Sequence, residues 1–71
     1  MDKVELSKIL STILNEYGFL DEINIKSYEI NSKQKNVYGI FKESNLEYNF
    51  SLNYDNKLNV THLSWIQLNA N

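Results

Sequence analysis

The most constraining feature of this sequence is the strict alternation of the segment LEYNFSLNY, residues 46–54. Every second residue is apolar, namely Leu46, Tyr48, Phe50, Leu52 and Tyr54. The residues between them are polar, namely Glu47, Asn49, Ser51 and Asn53. Because successive side chains of a strand point to opposite faces, the segment predicts a strand with one buried face and one wet face. The rest of the chain has to cover the buried face.

A suitable cover lies near the N-terminus, where apolar residues recur at three- and four-residue intervals. These residues are Leu6, Ile9, Leu10, Ile13, Leu14 and Tyr17. Their spacing predicts an amphipathic helix. Asp2 and Glu5 are spaced as a capping box at its start, and Gly18 has the position of a left-handed residue that ends a helix.

Three further strands are predicted, over residues Ile23 to Asn31, Val37 to Glu43 and Leu58 to Leu68. The apolar parity changes within the first of them, which indicates either a bulge near Lys26 or a strand that begins later than Ile23. Gly39 inside the second indicates a bulge, a bend or a close approach of the helix backbone. Residues 55–56 are predicted to form a two-residue hairpin turn, because Asp and Asn both tolerate positive φ.

Short connections make sequential strands antiparallel neighbours. The sequence therefore predicts an α+β fold of the order αββββ, with one N-terminal amphipathic helix packed on a four-stranded antiparallel β-meander. A chain of 71 residues is too short for two cores, so we expect a single domain over residues 1–71. It has no cysteine and hence no disulfide. Chains of this size often gain stability by oligomerisation, which makes a homodimer one expectation.

A helix about 22 Å long and 10 to 12 Å wide cannot cover four strands that span nearly 20 Å. Apolar residues occupy both parities of the last strand, which a bulge could partly reconcile. If that strand is regular, its Leu63 and Trp65 lie on the face without the helix, beside Tyr38 and Ile40. Exposed contiguous apolar area usually marks an interface, and Trp is enriched at binding hot spots. The predicted partner-binding residues are Leu63, Trp65, Tyr38 and Ile40, together with Glu47, Asn49 and Asn53 from the polar side of the third strand.

Residues typical of catalysis are few. His62 is the only histidine, and the strongest enzymatic interpretation places it with Ser64 on one strand face. A triad also needs an orienting acid, and a histidine that packs or forms structural hydrogen bonds is far more common. The carboxylates form no recognisable acid–base pair or calcium loop, and two glycines do not make a phosphate loop. We therefore expect no enzyme, no cofactor and no metal.

The charge and composition of the chain limit the classes of partner that it is expected to bind. The net charge is −2, and all seven positive residues are lysines, which disfavours nucleic-acid binding. The chain has no apolar run of 18 residues and no basic, signal-like N-terminus, so we expect no membrane partner and a cytoplasmic location. Eleven asparagines with no Arg, Pro or Cys are typical of an AT-rich genome.

These features of the sequence are compatible with three classes of function. The leading hypothesis is a small non-enzymatic protein–protein interaction module, such as a phage or mobile-element inhibitor of a host or defence protein. The alternative is a self-associating structural or accessory protein of a low-GC bacterium or phage. A second alternative is a small ligand-binding domain that uses His62.

Overall fold

The computed structural model describes residues 1–68. Helix α1 spans Lys3–Asn15, and the strands are β1 Ile23–Asn31, β2 Asn36–Glu43, β3 Leu46–Tyr54 and β4 Val60–Gln67. The strands pair antiparallel in the chain order β1-β2-β3-β4, so β1 and β4 are the two edges of the sheet. The predicted αββββ fold is confirmed.

The start of α1 is fixed by a reciprocal pair of hydrogen bonds. The Glu5 backbone N–H donates to the Asp2 carboxylate at 2.8 Å, and the Asp2 backbone N–H donates to the Glu5 carboxylate at 3.3 Å. This is the predicted capping box. A cap of this kind contributes about 1 kcal/mol by satisfying donors that the first helical turn leaves free.

The end of α1 is closed by Gly18, whose φ of +96° is the left-handed conformation predicted for it. The Phe19 N–H donates to the Leu14 carbonyl at 3.1 Å, and the Gly18 N–H donates to the Asn15 carbonyl at 3.3 Å. This pair of bonds is a Schellman closure, which reverses the chain direction. As a result Phe19 turns back toward the sheet.

The core lies between α1 and the side of the sheet that we call the helix face. Its buried residues are Leu6, Leu10, Leu14, Ile23, Ile25, Val37, Phe41, Tyr48, Phe50 and Leu52. Three of them are the alternating apolar residues of β3, as its pattern predicts. The opposite side of the sheet, which we call the open face, has no second layer among residues 1–68. None of the described residues of β4 is fully buried.

A bulge at Thr61 places the later side chains of β4 on the opposite faces from those expected of a regular strand. Thr61 has no partner in the ladder, because Tyr54 pairs with Val60 while Asn53 pairs with His62. After the bulge, Leu63 lies opposite the buried Leu52, and Trp65 lies opposite the buried Phe50. The assumption of a regular last strand is therefore wrong.

Two predicted site residues therefore lie on the opposite face of the sheet from the one expected. Leu63 and Trp65 lie on the helix face and pack against the core. They do not share a face with Tyr38 and Ile40, which lie on the open face.

The predicted bulge near Lys26 is present, since Ile25 and Ser27 pair with consecutive residues of β2 and leave Lys26 between them. Next to it, the backbone of β1 comes very close to Gly39. A Cβ added at Gly39 would meet the Ser27 carbonyl oxygen and lie 2.7 Å from the Cα of Tyr28. Gly39 thus permits a close backbone approach, by a neighbouring strand rather than by the helix.

The connection between β3 and β4 is a five-residue loop, 55–59, instead of the predicted two-residue turn. The Asp55 carboxylate accepts hydrogen bonds from the backbone N–H groups of Lys57 at 2.8 Å and Asn59 at 2.9 Å. The Leu58 N–H donates to the Asp55 carbonyl, and Leu58 has a φ of +64°. The bonds from Asn59 and Lys57 lower the pKa of Asp55 below its ordinary value of 3.8.

We expect Gly39→Ala to reduce the free energy of unfolding by about 2 to 3 kcal/mol, because the new methyl group would overlap rigid backbone of β1. Gly18→Ala is the matched control. It meets no atom within 4 Å, so its cost is the positive φ alone, about 1 kcal/mol. Urea denaturation of both variants measures the difference, and equal losses would contradict the close approach.

We expect Asp55→Asn to lower the melting temperature at neutral pH, because the loop loses a charged hydrogen-bond acceptor. A carboxylate with a depressed folded-state pKa stabilises the fold above its unfolded value of about 4. That stabilisation is lost as the pH falls through the folded pKa. Melting curves of wild type and variant should therefore converge at acid pH, and a gap that persists unchanged to the lowest pH would contradict the assignment.

Candidate functional site

The apolar stripe of α1 divides into two rows with a spacing of four residues. The first row, Leu6, Leu10 and Leu14, is fully buried. The second row, Ile9, Ile13 and Tyr17, is not: the two isoleucines are half-buried, and the Tyr17 side chain is 66% exposed. Residues four apart lie on one side of a helix. The second row is thus an apolar flank of α1 that its own chain leaves partly uncovered.

This flank faces β4 across a gap. The backbone of α1 lies closest to β1, and two depressions open between α1 and β4. We call the gap the α1–β4 groove. Its apolar lining residues are Ile9, Ile13, Tyr17, Leu58, Val60, Leu63 and Trp65. Two adjoining depressions of about 390 and 350 Å³ make up the groove and share Ile13 and Val60.

An aromatic cluster closes the groove at the end of α1. The rings of Tyr17 and Trp65 meet edge to face with centroids 5.4 Å apart. Phe19 lies behind them, 5.8 Å from Trp65 and 5.1 Å from Tyr48, again edge to face. Edge-to-face contacts of this kind add about 1 kcal/mol each to the area they bury. Trp65 is therefore held in a fixed orientation while remaining half-buried.

The open face carries the other predicted partner-binding residues. Tyr38, 44% exposed, and the half-buried Ile40 border a shallow depression of about 420 Å³ that Asn49 also lines. Glu47 is near one end of this face, where its carboxylate lies 3.8 Å from the ammonium group of Lys26. That ion pair is exposed to solvent and hence weak.

The seven predicted partner-binding residues therefore belong to two surfaces on opposite sides of the sheet. Leu63 and Trp65 line the α1–β4 groove. Five lie on the open face, namely Tyr38, Ile40, Glu47, Asn49 and Asn53. The apolar area of the open face is interrupted, because the polar Asn49 separates Ile40 from Ile66 in the same row across the sheet. Seven apolar or aromatic side chains line the groove.

His62 lies on the open face and is exposed, opposite Asn53. Ser64 lies two residues further on, on the same face and opposite Ser51. The shared face of His62 and Ser64 is as predicted. Within residues 1–68, no group of three or more His, Asp or Glu side chains is placed to hold a metal ion.

The spacing of apolar residues predicted Tyr17 as part of the covering stripe of the helix, and it assigned no role to Phe19. Tyr17 follows the last helical residue, Asn15, and a stripe that runs beyond its helix is a signal of incomplete cover. Phe19 directly follows the helix-ending glycine. That is the position at which a Schellman closure places an apolar residue against the preceding turn.

Comparisons with family models, curated proteins and solved structures found no match to this chain. No helix in the part of the chain that the structure describes is long and apolar enough to cross a membrane. The residues that line the groove are therefore the basis for assigning a function.

The chemistry of the groove is suited to burying apolar side chains. The lining combines aliphatic and aromatic side chains with polar residues at its rim, namely Lys8, Thr12, Asn59, Thr61 and His62. Tyr and Trp are the residue types most enriched at the energetic centres of protein interfaces. An apolar groove beside a rigid indole ring can accept side chains of another polypeptide.

We expect Phe19→Ala to lower the free energy of unfolding by about 2 to 3 kcal/mol, because it removes three edge-to-face contacts and leaves a cavity. Tyr17→Ala should cost no more than about 1 kcal/mol, since the ring is largely exposed. Denaturant unfolding followed by Trp65 fluorescence measures both. A larger loss at Tyr17 than at Phe19 would show that Tyr17 belongs to the core and not to a free surface.

Proposed function

We propose that this protein is a small non-enzymatic protein–protein interaction module that binds its target through the α1–β4 groove. The observation that supports it is the partial cover of the helix face: a row of α1 and the inward side chains of β4 face each other without filling the space between them. Apolar surface left open in this way favours a partner that buries it.

Within this class we propose the role of an inhibitor that occludes a larger protein, in the cytoplasm of a low-GC bacterium or in cells infected by its phage. The support is compositional. Eleven asparagines and the lack of Arg, Pro and Cys are typical of AT-rich coding sequence. A negative net charge favours protein partners over nucleic acid.

Self-association is a second candidate, and one observation favours it. The sheet ends at β4, whose residues 60–67 include no Lys, Arg, Asp or Glu. Edge strands of monomeric proteins usually carry charges or proline that prevent pairing. This candidate is compatible with the first, because a dimer can also bind a target.

Two exposed tyrosines on opposite sides of the sheet allow a matched test of the groove. Tagged wild type, Tyr17→Lys and Tyr38→Lys are used to capture proteins from lysate of a low-GC bacterium. We expect a stoichiometric partner that wild type and Tyr38→Lys retain and Tyr17→Lys loses at least about 10-fold, because a charge in the groove opposes burial.

Circular dichroism establishes that both variants are folded. A partner lost with Tyr38→Lys and kept with Tyr17→Lys would move the binding site to the open face. The absence of any stoichiometric partner with all three baits would contradict the proposed function.

A further inference from the structure

The two edges of the sheet differ in how they oppose further pairing. Edge β1 has a bulge at Lys26 and carries the charged Lys26 and Glu29. Bulges and charges of this kind prevent another strand from adding to an edge. In β4 the bulge is at Thr61, near its start, and residues 62–67 continue in regular register without a Lys, Arg, Asp or Glu side chain. Edge β4 is the one suited to pairing.

The free hydrogen-bonding groups of β4 can be identified from its ladder. The Leu68 N–H donates to the Glu47 carbonyl at 2.8 Å, which makes these two residues a hydrogen-bonded pair. Hydrogen-bonded and non-hydrogen-bonded pairs alternate along an antiparallel ladder. The backbone groups of Leu63, Trp65 and Gln67 therefore point away from β3, toward the open edge.

These three residues are symmetric about Trp65, and a second copy of the same strand can match them. We propose that β4 pairs antiparallel with β4 of a second copy around a two-fold axis at Trp65, which joins the two sheets into one of eight strands. Trp65 then pairs with Trp65 of the second copy, and Leu63 pairs with its Gln67. Six backbone hydrogen bonds form.

The position of α1 makes room for this arrangement. The helix α1 lies closest to β1, which is the edge of the sheet opposite to β4. In the dimer, β4 of the second copy lies beside β4 in the same sheet. The two Trp65 indoles then become neighbours on the helix face. On the open face Ser64 lies opposite Ile66 of the second copy, and Ile66 is otherwise 67% exposed. No like charges face each other across the junction.

The distribution of charge does not oppose pairing with a second copy. The charges of the open face lie on the other three strands, for example Lys26, Lys42 and Glu47. The net charge of −2 is small, so repulsion between two copies is weak. The dimer also buries edge surface, and chains of this size often gain stability by oligomerisation.

The inference rests on the proposed function in one respect, that the β4 side is the binding side. It adds the identity of a partner, a second copy of this chain. The two experiments can fail separately: loss of the dimer leaves the tyrosine comparison untouched, and a dimer that captures no target contradicts only the first proposal.

The absence of cysteine permits a direct test of the register. In the double variant Ser64→Cys/Ile66→Cys, the thiol at position 64 of one copy faces the thiol at position 66 of the other. These positions form a non-hydrogen-bonded pair, in which the Cα atoms are about 4.5 Å apart and a disulfide can form. With oxidised glutathione as oxidant, we expect most of the chain to become a covalent dimer that reductant separates. The matched control is His62→Cys/Ser64→Cys, on the same face with the same spacing, in which no thiol faces another.

Cross-linking of the control equal to that of the test pair would overturn the proposed register. Light scattering of the wild type at high micromolar concentration should give the mass of two chains. The mass of one chain would overturn the dimer itself.

A backbone variant tests the hydrogen bonds at the edge. Gln67→Pro removes an N–H that points away from β3, so the sheet of each copy is preserved. By symmetry the dimer loses two hydrogen bonds, and we expect its dissociation constant to rise about 10-fold or more. Gln67→Ala keeps the N–H and should leave the dissociation constant nearly unchanged. Equal dissociation constants for the two variants, both folded by circular dichroism, would overturn the proposal.

Discussion

A single helix of 13 residues has to cover one face of a four-stranded sheet, and the limited width of that helix is the constraint on which the rest of the structure depends. The helix contributes one fully buried row, Leu6, Leu10 and Leu14, and it lies closest to β1. Its second apolar row is only partly covered by the sheet. The half-buried state of β4 and the groove beside it follow from this unequal cover.

The architecture could be predicted from the sequence because its strongest patterns are local. The alternation of β3 and the four-residue spacing of α1 each specify an element without reference to the others. Asp2 with Glu5 and the single Gly18 mark the helix ends by hydrogen bonding and by φ, which are also local properties. The order of strands followed from the short connections alone.

The site could be predicted only in part, because the orientation of β4 depends on one unpaired residue. A one-residue bulge moves every later side chain to the other face. In β1 the parity change between Ile25 and Tyr28 indicated such a bulge or a later strand start, and the structure has the bulge. In β4 the change between Val60 and Leu63 is the same signal, but apolar residues at other positions of that segment, such as Leu58 and Ile66, allowed a regular strand as well. The five-residue loop at Asp55 has no comparable signal, since Asp-Asn also suits a tighter turn.

The pairing of strands in chain order has a further consequence for local unfolding. Strand β4 has β3 as its one neighbour in the sheet, and it contributes no fully buried side chain among the described residues. Its detachment breaks one ladder and leaves the leucine row of α1 in place over β1 to β3. The free energy of that opening is lower than the free energy of global unfolding. Backbone amide protons of β4 therefore exchange with solvent earlier than those of β2, and any molecule that occupies the β4 edge slows this exchange.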